Sequence, residues 1–502
     1  MRGPELSLRR VSPVLQIAVG FLIGVLFAVL VLPDRATTPA NAARTRVSFG
    51  AGADGGDPSA AGSATDGTTG GEQGSGAVAA AINGGGATGA GGVAAASGAR
   101  DVEPPAQRGV DGKTIKLGIA LPDISVIAAL GPGYNQGDLQ AHVQSTIDAL
   151  RREHALPVGG RDLQIVYRSF NILSADEQQS TCSGFAQDDH VFAVIGIHDY
   201  TAGAECLSTQ YKIPVLTANG PFEGVYQRGW PYLFTLEMSA SRVLRNLVAW
   251  GNATGRFKGK RIGVYYSDDP TTTPDMQKYV IGRLRQLGYN VASVVTTDTS
   301  GASTGGPNDS VAVQRFSAAG VNVALLFVSP VAKTNFFTQA RQQGYRPAYL
   351  ETDIAFSTTS TGTSTYPADY FDGNWGVTGQ RFGEGPAGIA ETPEAQKCDA
   401  DYVKTGGQHV DREQREAEYI ASNQACDEFR AFMTALNYAG RNLTPARLVQ
   451  GLETIKGMRM GIHGDVSFNA SRHDGVTTFR ELLWKASCKC WVAQGDLKPA
   501  AS

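Results

Sequence analysis

Between Thr114 and Gly344 the sequence alternates short apolar, β-rich runs with helical segments, and this alternation limits the folds open to the chain more than any other feature. Strands are predicted at Thr114–Leu121, Asp162–Tyr167, Val191–Ile197 and Ile213–Thr217, then at Arg261–Tyr266, Asn290–Val295 and Val321–Val328. Helices are predicted between them. The first runs from about Asp138 to His154, with Val143, Ile147 and Leu150 on one face. Others are expected at Ala175–Gln187, Ala202–Tyr211, up to about Thr254, Asp275–Leu287, Val311–Ala319 and Ala332–Gly344. Strand–helix–strand units at this pitch build parallel, doubly wound α/β sheets, and two successive rounds imply two sheets.

A link is expected near Thr235–Ser239. The region after Asp372 reads as more helical and more polar, with one long helix or a broken pair over Glu416–Tyr438 and terminal strands at Phe479–Trp484 and Trp491–Ala493. Neither sheet looks complete without this C-terminal material, so the chain is expected to cross between them more than once.

The first hundred residues are of another kind. Val14 to Leu32 is an apolar run of nineteen residues, about 28 Å long as a helix and close to the thickness of a bilayer core. Arg2, Arg9 and Arg10 precede it, so residues 1–13 are expected to stay cytoplasmic and everything after Pro33 to lie outside. Two fates are open: the length favours a retained anchor, while Ala40-Asn41-Ala42 fits cleavage of a signal peptide after Ala42 and secretion. From residue 33 to 108 the composition is Gly, Ala, Ser and Thr with almost no large apolar side chain. Such a segment cannot offset its ordering entropy and is expected to be a disordered tether reaching roughly 45 Å. Its Gly84-Gly85-Gly86-Ala87-Thr88-Gly89 matches G-x-G-x-x-G formally but has no strand before it or helix after it, so no dinucleotide is inferred.

A net charge of −3 provides no footprint for nucleic acid. The six cysteines, Cys182, Cys206, Cys398, Cys426, Cys488 and Cys490, all lie in the exported part and read as disulfides. Proximity favours Cys182–Cys206 and Cys398–Cys426, and Cys488–Cys490 would close a tight loop. There is no Cys-x-x-Cys pair and no histidine at ligand spacing beside a cysteine, so no metal is expected.

Gly109-Val110-Asp111-Gly112-Lys113-Thr114-Ile115-Lys116-Leu117-Gly118 resembles the opening of type I periplasmic binding proteins of the branched-chain-amino-acid-binding family. Phe192–Gly196, Lys212–Thr217 and Phe337–Tyr345 carry the same resemblance in the same order. It implies two Rossmann-like parallel-sheet lobes joined by a hinge of several crossovers, with no cofactor and a small-molecule ligand trapped at the cleft. The domain plan is then lobe 1 at 109–236, completed by about 380–445, and lobe 2 at 237–379, completed by about 446–495. The ligand is expected to be amino-acid-like or an amide, delivered to an ABC permease in the membrane.

Ligands of open α/β sheets sit beyond the carboxyl ends of the strands. The loop after Ile197 is His198-Asp199-Tyr200-Thr201-Ala202, whose backbone N–H groups and Thr201 hydroxyl are expected to hold a ligand carboxylate. The next loop supplies Ala218, Asn219 and Gly220. From the other lobe come Ser329 and Asp353, where the resemblance puts the acid that receives an ammonium group. Tyr134, in the long first loop, is expected to wall the pocket. His198-Asp199-Tyr200 departs from the serine-rich loop usual in the family, and Thr271–Thr273 before Pro274 reads mainly as a helix cap.

An enzyme is disfavoured: the folded part has no G-x-S-x-G, H-E-x-x-H or phosphate-cradling loop, and no nucleophile lies near His198 in sequence. A tethered sensor signalling through a membrane partner is the alternative use of the same clamp.

Overall fold

A computed structural model of the chain describes residues 108–125, 134–172 and 174–501. The apolar run 14–32 and nearly all of the 33–108 tether lie outside the described residues. Among the described residues no helix is long and apolar enough to cross a membrane.

Two sheets form. The first is wholly parallel, in the order β2-β1-β3-β4-β5, from β1 (Thr114–Asp123), β2 (Asp162–Asn171), β3 (Ala193–Gly196), β4 (Val215–Thr217) and β5 (Leu233–Thr235). The second has seven strands: β6 (Arg261–Ser267), β7 (Asn290–Thr297), β8 (Val323–Phe327), β9 (Ala348–Glu351), β10 (Trp375–Thr378), β11 (Thr478–Lys485) and β12 (Cys490–Pro499). Their order is β12-β11-β10-β9-β8-β6-β7, parallel except where β11 pairs antiparallel with β10 and β12. β1 and β8 are buried along nearly their whole length, as the continuous apolar runs require of strands covered on both faces.

Local chemistry starts the helices. Asp138, Ser174, Ser239, Ser329, Thr359, Thr392 and Thr444 each accept an N–H of the first turn, and Pro330, Pro393 and Pro445 follow their caps where a missing N–H costs nothing.

The chain passes between the sheets three times. It leaves the first through Leu236–Ser239 and the helix Ala240–Ala253. After β10 it returns to the helices Pro393–Lys404 and Glu416–Ala439, which pack on Leu139–Arg152 beside the first sheet. Residues 455–477 then carry it back to β11. Single β-bridges Thr235–Asp474 and Gln380–His463 tie the crossovers together. At their centre Arg242 Nη1 meets Asp474 Oδ1 at 2.7 Å, both side chains buried, and Asp474 Oδ2 accepts the Ser239 N–H at 2.9 Å.

The sequence reading missed β5, β9 and β10. All are short, three or four residues, and the last stands in a stretch read as helical and polar. The three cysteine pairs are closed as Cys182–Cys206, Cys398–Cys426 and Cys488–Cys490.

Candidate functional site

Two loops at the carboxyl ends of strands hold backbone in the left-handed region, which non-glycine residues seldom occupy. After β3, His198 and Asp199 have φ of 49° and 39°. The turn is held because Asp199 donates its N–H to Asn219 Oδ1 at 2.8 Å and its carbonyl accepts from Gln178 Nε2 at 3.0 Å and from the Thr201 N–H at 2.9 Å. After β9, Ala355 and Phe356 both have φ of 56°. Here the Phe356 carbonyl accepts from the Thr359 N–H at 3.1 Å and the Thr359 hydroxyl at 2.9 Å. The loops face each other, and the His198 ring meets Phe356 edge-on, centroids 5.3 Å apart.

Around this contact lies a cavity of about 440 Å³, within the range of small-molecule sites. Strand ends or the segments after them build it from both sheets. The first contributes Pro122, Tyr134, Gln136, Ile172, His198, Asp199 and Phe222; the second Ser267, Thr272, Thr299, Ala302, Ser303, Phe327–Val331, Ile354–Phe356, Thr359, Thr361 and Gly362. Ala417 and Ile420 of the Glu416–Ala439 helix close one side. The walls are mainly apolar with scattered hydroxyls.

His198 is 3% exposed, and burial pulls its imidazole down to about 4, so the ring is neutral at pH 7. Nδ1 has no hydrogen-bond partner among the described residues. Burial pushes the Asp199 carboxyl up to about 6. Behind these two, Glu237 on the first crossover is raised well above the usual carboxylate range by burial, then by Asp353 and Asp199.

Of the residues expected at the site, Tyr134, His198, Asp199 and Ser329 line the cavity. Ser329 does so with its hydroxyl already used: it accepts the Ala332 N–H at 3.2 Å and donates to the Ser303 carbonyl at 2.6 Å. The structure places the other expected residues away from the cavity wall. Tyr200 is turned into the lobe 1 core, 1% exposed, its ring 5.0 Å from Phe170 and lying on Gly203. Thr201 and Ala202 do not line the cavity, and the Ala202 and Gly203 N–H groups both go to Gln178 Oε1, at 2.9 and 3.3 Å. That helix start therefore has no free pair of amides for a ligand carboxylate.

Ala218, Asn219 and Gly220 support the loops from behind. The Ala218 carbonyl accepts the Glu237 N–H at 3.0 Å, Asn219 holds Asp199, and Gly220 lies against the Met238 backbone so closely that a Cβ there would sit 2.0 Å from Met238 O. Asp353 does not line the cavity either. Its Oδ1 accepts from the Thr358 hydroxyl and its Oδ2 from the Gly379 N–H at 2.7 Å, so the carboxylate is committed to the second crossover.

Sequence reasoning passed over the contributions of β6, β7 and the 354–362 loop. One signal was present: the strand-end rule, applied at two strands of the second sheet, applies equally to the rest. Thr272, read mainly as a cap, makes no capping bond and lines the cavity. Among the described residues no cluster of His, Cys, Asp and Glu could hold a metal ion.

A sequence model of the periplasmic binding protein family matches residues 114–488, from β1 through β11. The chain belongs to the periplasmic binding protein family. No curated protein sequence matches it. Solved structures show the same fold across nearly their whole length. A possible leucine/isoleucine/valine-binding protein from Rhodopirellula baltica SH 1 is 11% identical with a TM-score of 0.58, covering 77% of this chain and 97% of its own. A branched-chain amino acid ABC transporter protein from Thermus thermophilus with bound valine is 16% identical with a TM-score of 0.57, covering 78% and 98%. A solute binding protein of an ABC transporter from Rhodopseudomonas palustris HaA2, in complex with p-hydroxybenzoic acid, is 15% identical with a TM-score of 0.58, again over 78% and 98%. At these identities this periplasmic binding protein shares a fold with them, and its own cavity must be read for what it binds.

Proposed function

We propose that this periplasmic binding protein works outside the cytoplasm as a membrane-tethered solute-binding protein. It captures a small amino-acid-like or amide ligand between its lobes and delivers it to an ABC permease. The observation that carries this reading is the cavity of about 440 Å³ built from both sheets around the His198–Phe356 contact. A cavity walled by two bodies joined through a hinge can change volume by rotation of those bodies, so ligand contacts made by both favour the closed state. The bound valine and p-hydroxybenzoic acid of the fold relatives are molecules of suitable size.

Capture needs binding and release without covalent chemistry. The cavity suits this: its hydroxyls and its neutral imidazole can hydrogen-bond a ligand, while its apolar walls supply affinity through burial. The tether rests on sequence: the 14–32 apolar run for the anchor and residues 33–108 for the reach.

Equilibrium dialysis of the full-length protein against mixed amines, amino acids and amides tests capture, with retention of one compound as the expected result and retention of none as the contrary one. Alkaline washing of cell membranes tests the anchor. The protein is expected to stay with the membrane pellet, and its release would indicate a cleaved form.

A further inference from the structure

Polar side chains facing a ligand cavity declare what they are meant to meet, and here the charge count is lopsided. No lysine or arginine lines the cavity among the described residues, and Asp199 is the single carboxylate that does. The part of the first loop that is not described, 126–133, has no charged residue in its sequence. Nor does the protein use the Asp199 carboxylate: its backbone N–H and carbonyl are bonded to Asn219 and Gln178, but no hydrogen bond or ion pair reaches its side-chain oxygens among the described residues.

A second feature points the same way. His198 lines the same wall at 3% exposure with Nδ1 unpartnered among the described residues. A buried polar atom left without a partner is destabilising, so a ligand group that supplies the partner gains from it. Behind the wall, Glu237 lies within electrostatic reach of Asp199 and Asp353, and His463 on the third crossover within reach of His198 and Asp353.

Resting on the capture reading but replacing its amino-acid-like or amide ligand by another class, we propose that the cleft selects a small apolar monocation. The ligand class is an amine with an aryl or branched-alkyl body and no carboxylate. Its ammonium sits on Asp199 and bonds the His198 ring, and its body packs on Phe222, Phe327, Ile354 and Phe356. A free carboxylate on the ligand meets no cation among the described residues of this cavity and is desolvated beside Asp199, which disfavours anions outright and zwitterions in part.

Calorimetric titration of the full-length protein in detergent with four matched probes tests this: 2-phenylethylamine, phenylalanine, 3-phenylpropionate and 3-phenylpropionamide. The amine is expected to bind at least about tenfold more tightly than either carboxylate-bearing probe, the worth of about 1.4 kcal/mol. Its affinity is expected to be level at neutral pH and to fall as pH drops through about 6, where the free Asp199 takes up its proton. Asp199→Asn, which suits the left-handed backbone, should erase both the preference and the pH profile. Tighter binding of 3-phenylpropionate or phenylalanine overturns the charge assignment and leaves capture standing. Binding of none of the four overturns the assignment too, and the capture reading is then judged separately by whether dialysis retains any other compound. An amine preference that survives Asp199→Asn removes Asp199 as its source.

Discussion

The imidazole of His198 meets the ring of Phe356 edge-on across the cleft, centroids 5.3 Å apart and planes at 82°. One ring follows β3 of the first sheet and the other follows β9 of the second, so the pair spans the two lobes. Edge-to-face pairs contribute about 1 kcal/mol beyond the area they bury. Phe356→Ala is therefore expected to shift the closed–open balance roughly fivefold toward open. Small-angle scattering of the wild type and the variant should show the variant more expanded, and superimposable curves would contradict this.

The hinge has its own keystone in Arg242 and Asp474, buried and paired at 2.7 Å between the helix after the first crossover and the third crossover. Removing one partner leaves the other charge buried and unpaired, at a cost of about 3–5 kcal/mol. Asp474→Asn is expected to lower unfolding free energy by about 3 kcal/mol in urea titrations. The double change Arg242→Met with Asp474→Leu should recover much of it, because it removes the stranded charge. Equal losses in the single and double variants would argue against the ion pair.

His473 lies between Trp230 and Phe234, stacked at 3.8 and 3.7 Å, with Nε2 3.0 Å from Glu453 Oε1. Burial pulls its imidazole down to about 3. Because the folded value lies below the unfolded one of about 6.5, the contribution of this group is fully present above pH 6.5 and is lost as pH falls from there toward 3. The slope approaches about 1.4 kcal/mol per pH unit, with His198 adding in the same sense. Urea titrations at neutral pH and near pH 5 should show a smaller acid loss in His473→Gln than in the wild type. Identical losses would mean that His473 is not neutral in the fold.

Cys182–Cys206 joins the helices Ala175–Ser183 and Thr201–Gln210, and Cys398–Cys426 joins Pro393–Lys404 to Glu416–Ala439, with separations of 24 and 28 residues. Loops of that length correspond to about 3.5 kcal/mol of stabilisation each. Replacing both cysteines of either pair by alanine is expected to lower the melting temperature markedly. The same change at Cys488–Cys490, only 2 apart, should do far less. Calorimetric melting of the three variants checks the ranking.

Much of the fold could be read in the sequence because buried parallel strands are continuous apolar runs, as in Val323–Phe327. Ala348–Glu351 and Trp375–Thr378 escaped because they are four residues each and owe their strand state to β8 and β11 beside them, not to local pattern. At the site, His198 and Asp199 could be placed by the strand-end rule. Tyr200, one residue on, could not, since its side chain turns back over Gly203 toward Phe170. Asp353 shows the same limit: its position after β9 is right for a ligand contact, but Thr358 and Gly379, brought in by the tertiary fold, take its oxygens.

The central claim is that a small molecule is held inside the cleft, and filling the cleft tests it most directly. Ala302 lines the cavity and is buried, so Ala302→Trp places an indole in the ligand's space. Thermal unfolding of the full-length wild type and of this variant should be compared across a panel of amines, amino acids, amides and aromatic acids. At least one compound class is predicted to stabilise the wild type, by about 2.7 kcal/mol at a hundredfold excess over its dissociation constant, and to leave Ala302→Trp unmoved. Stabilisation that persists in the filled cleft, or no stabilisation of the wild type by any class, would contradict it.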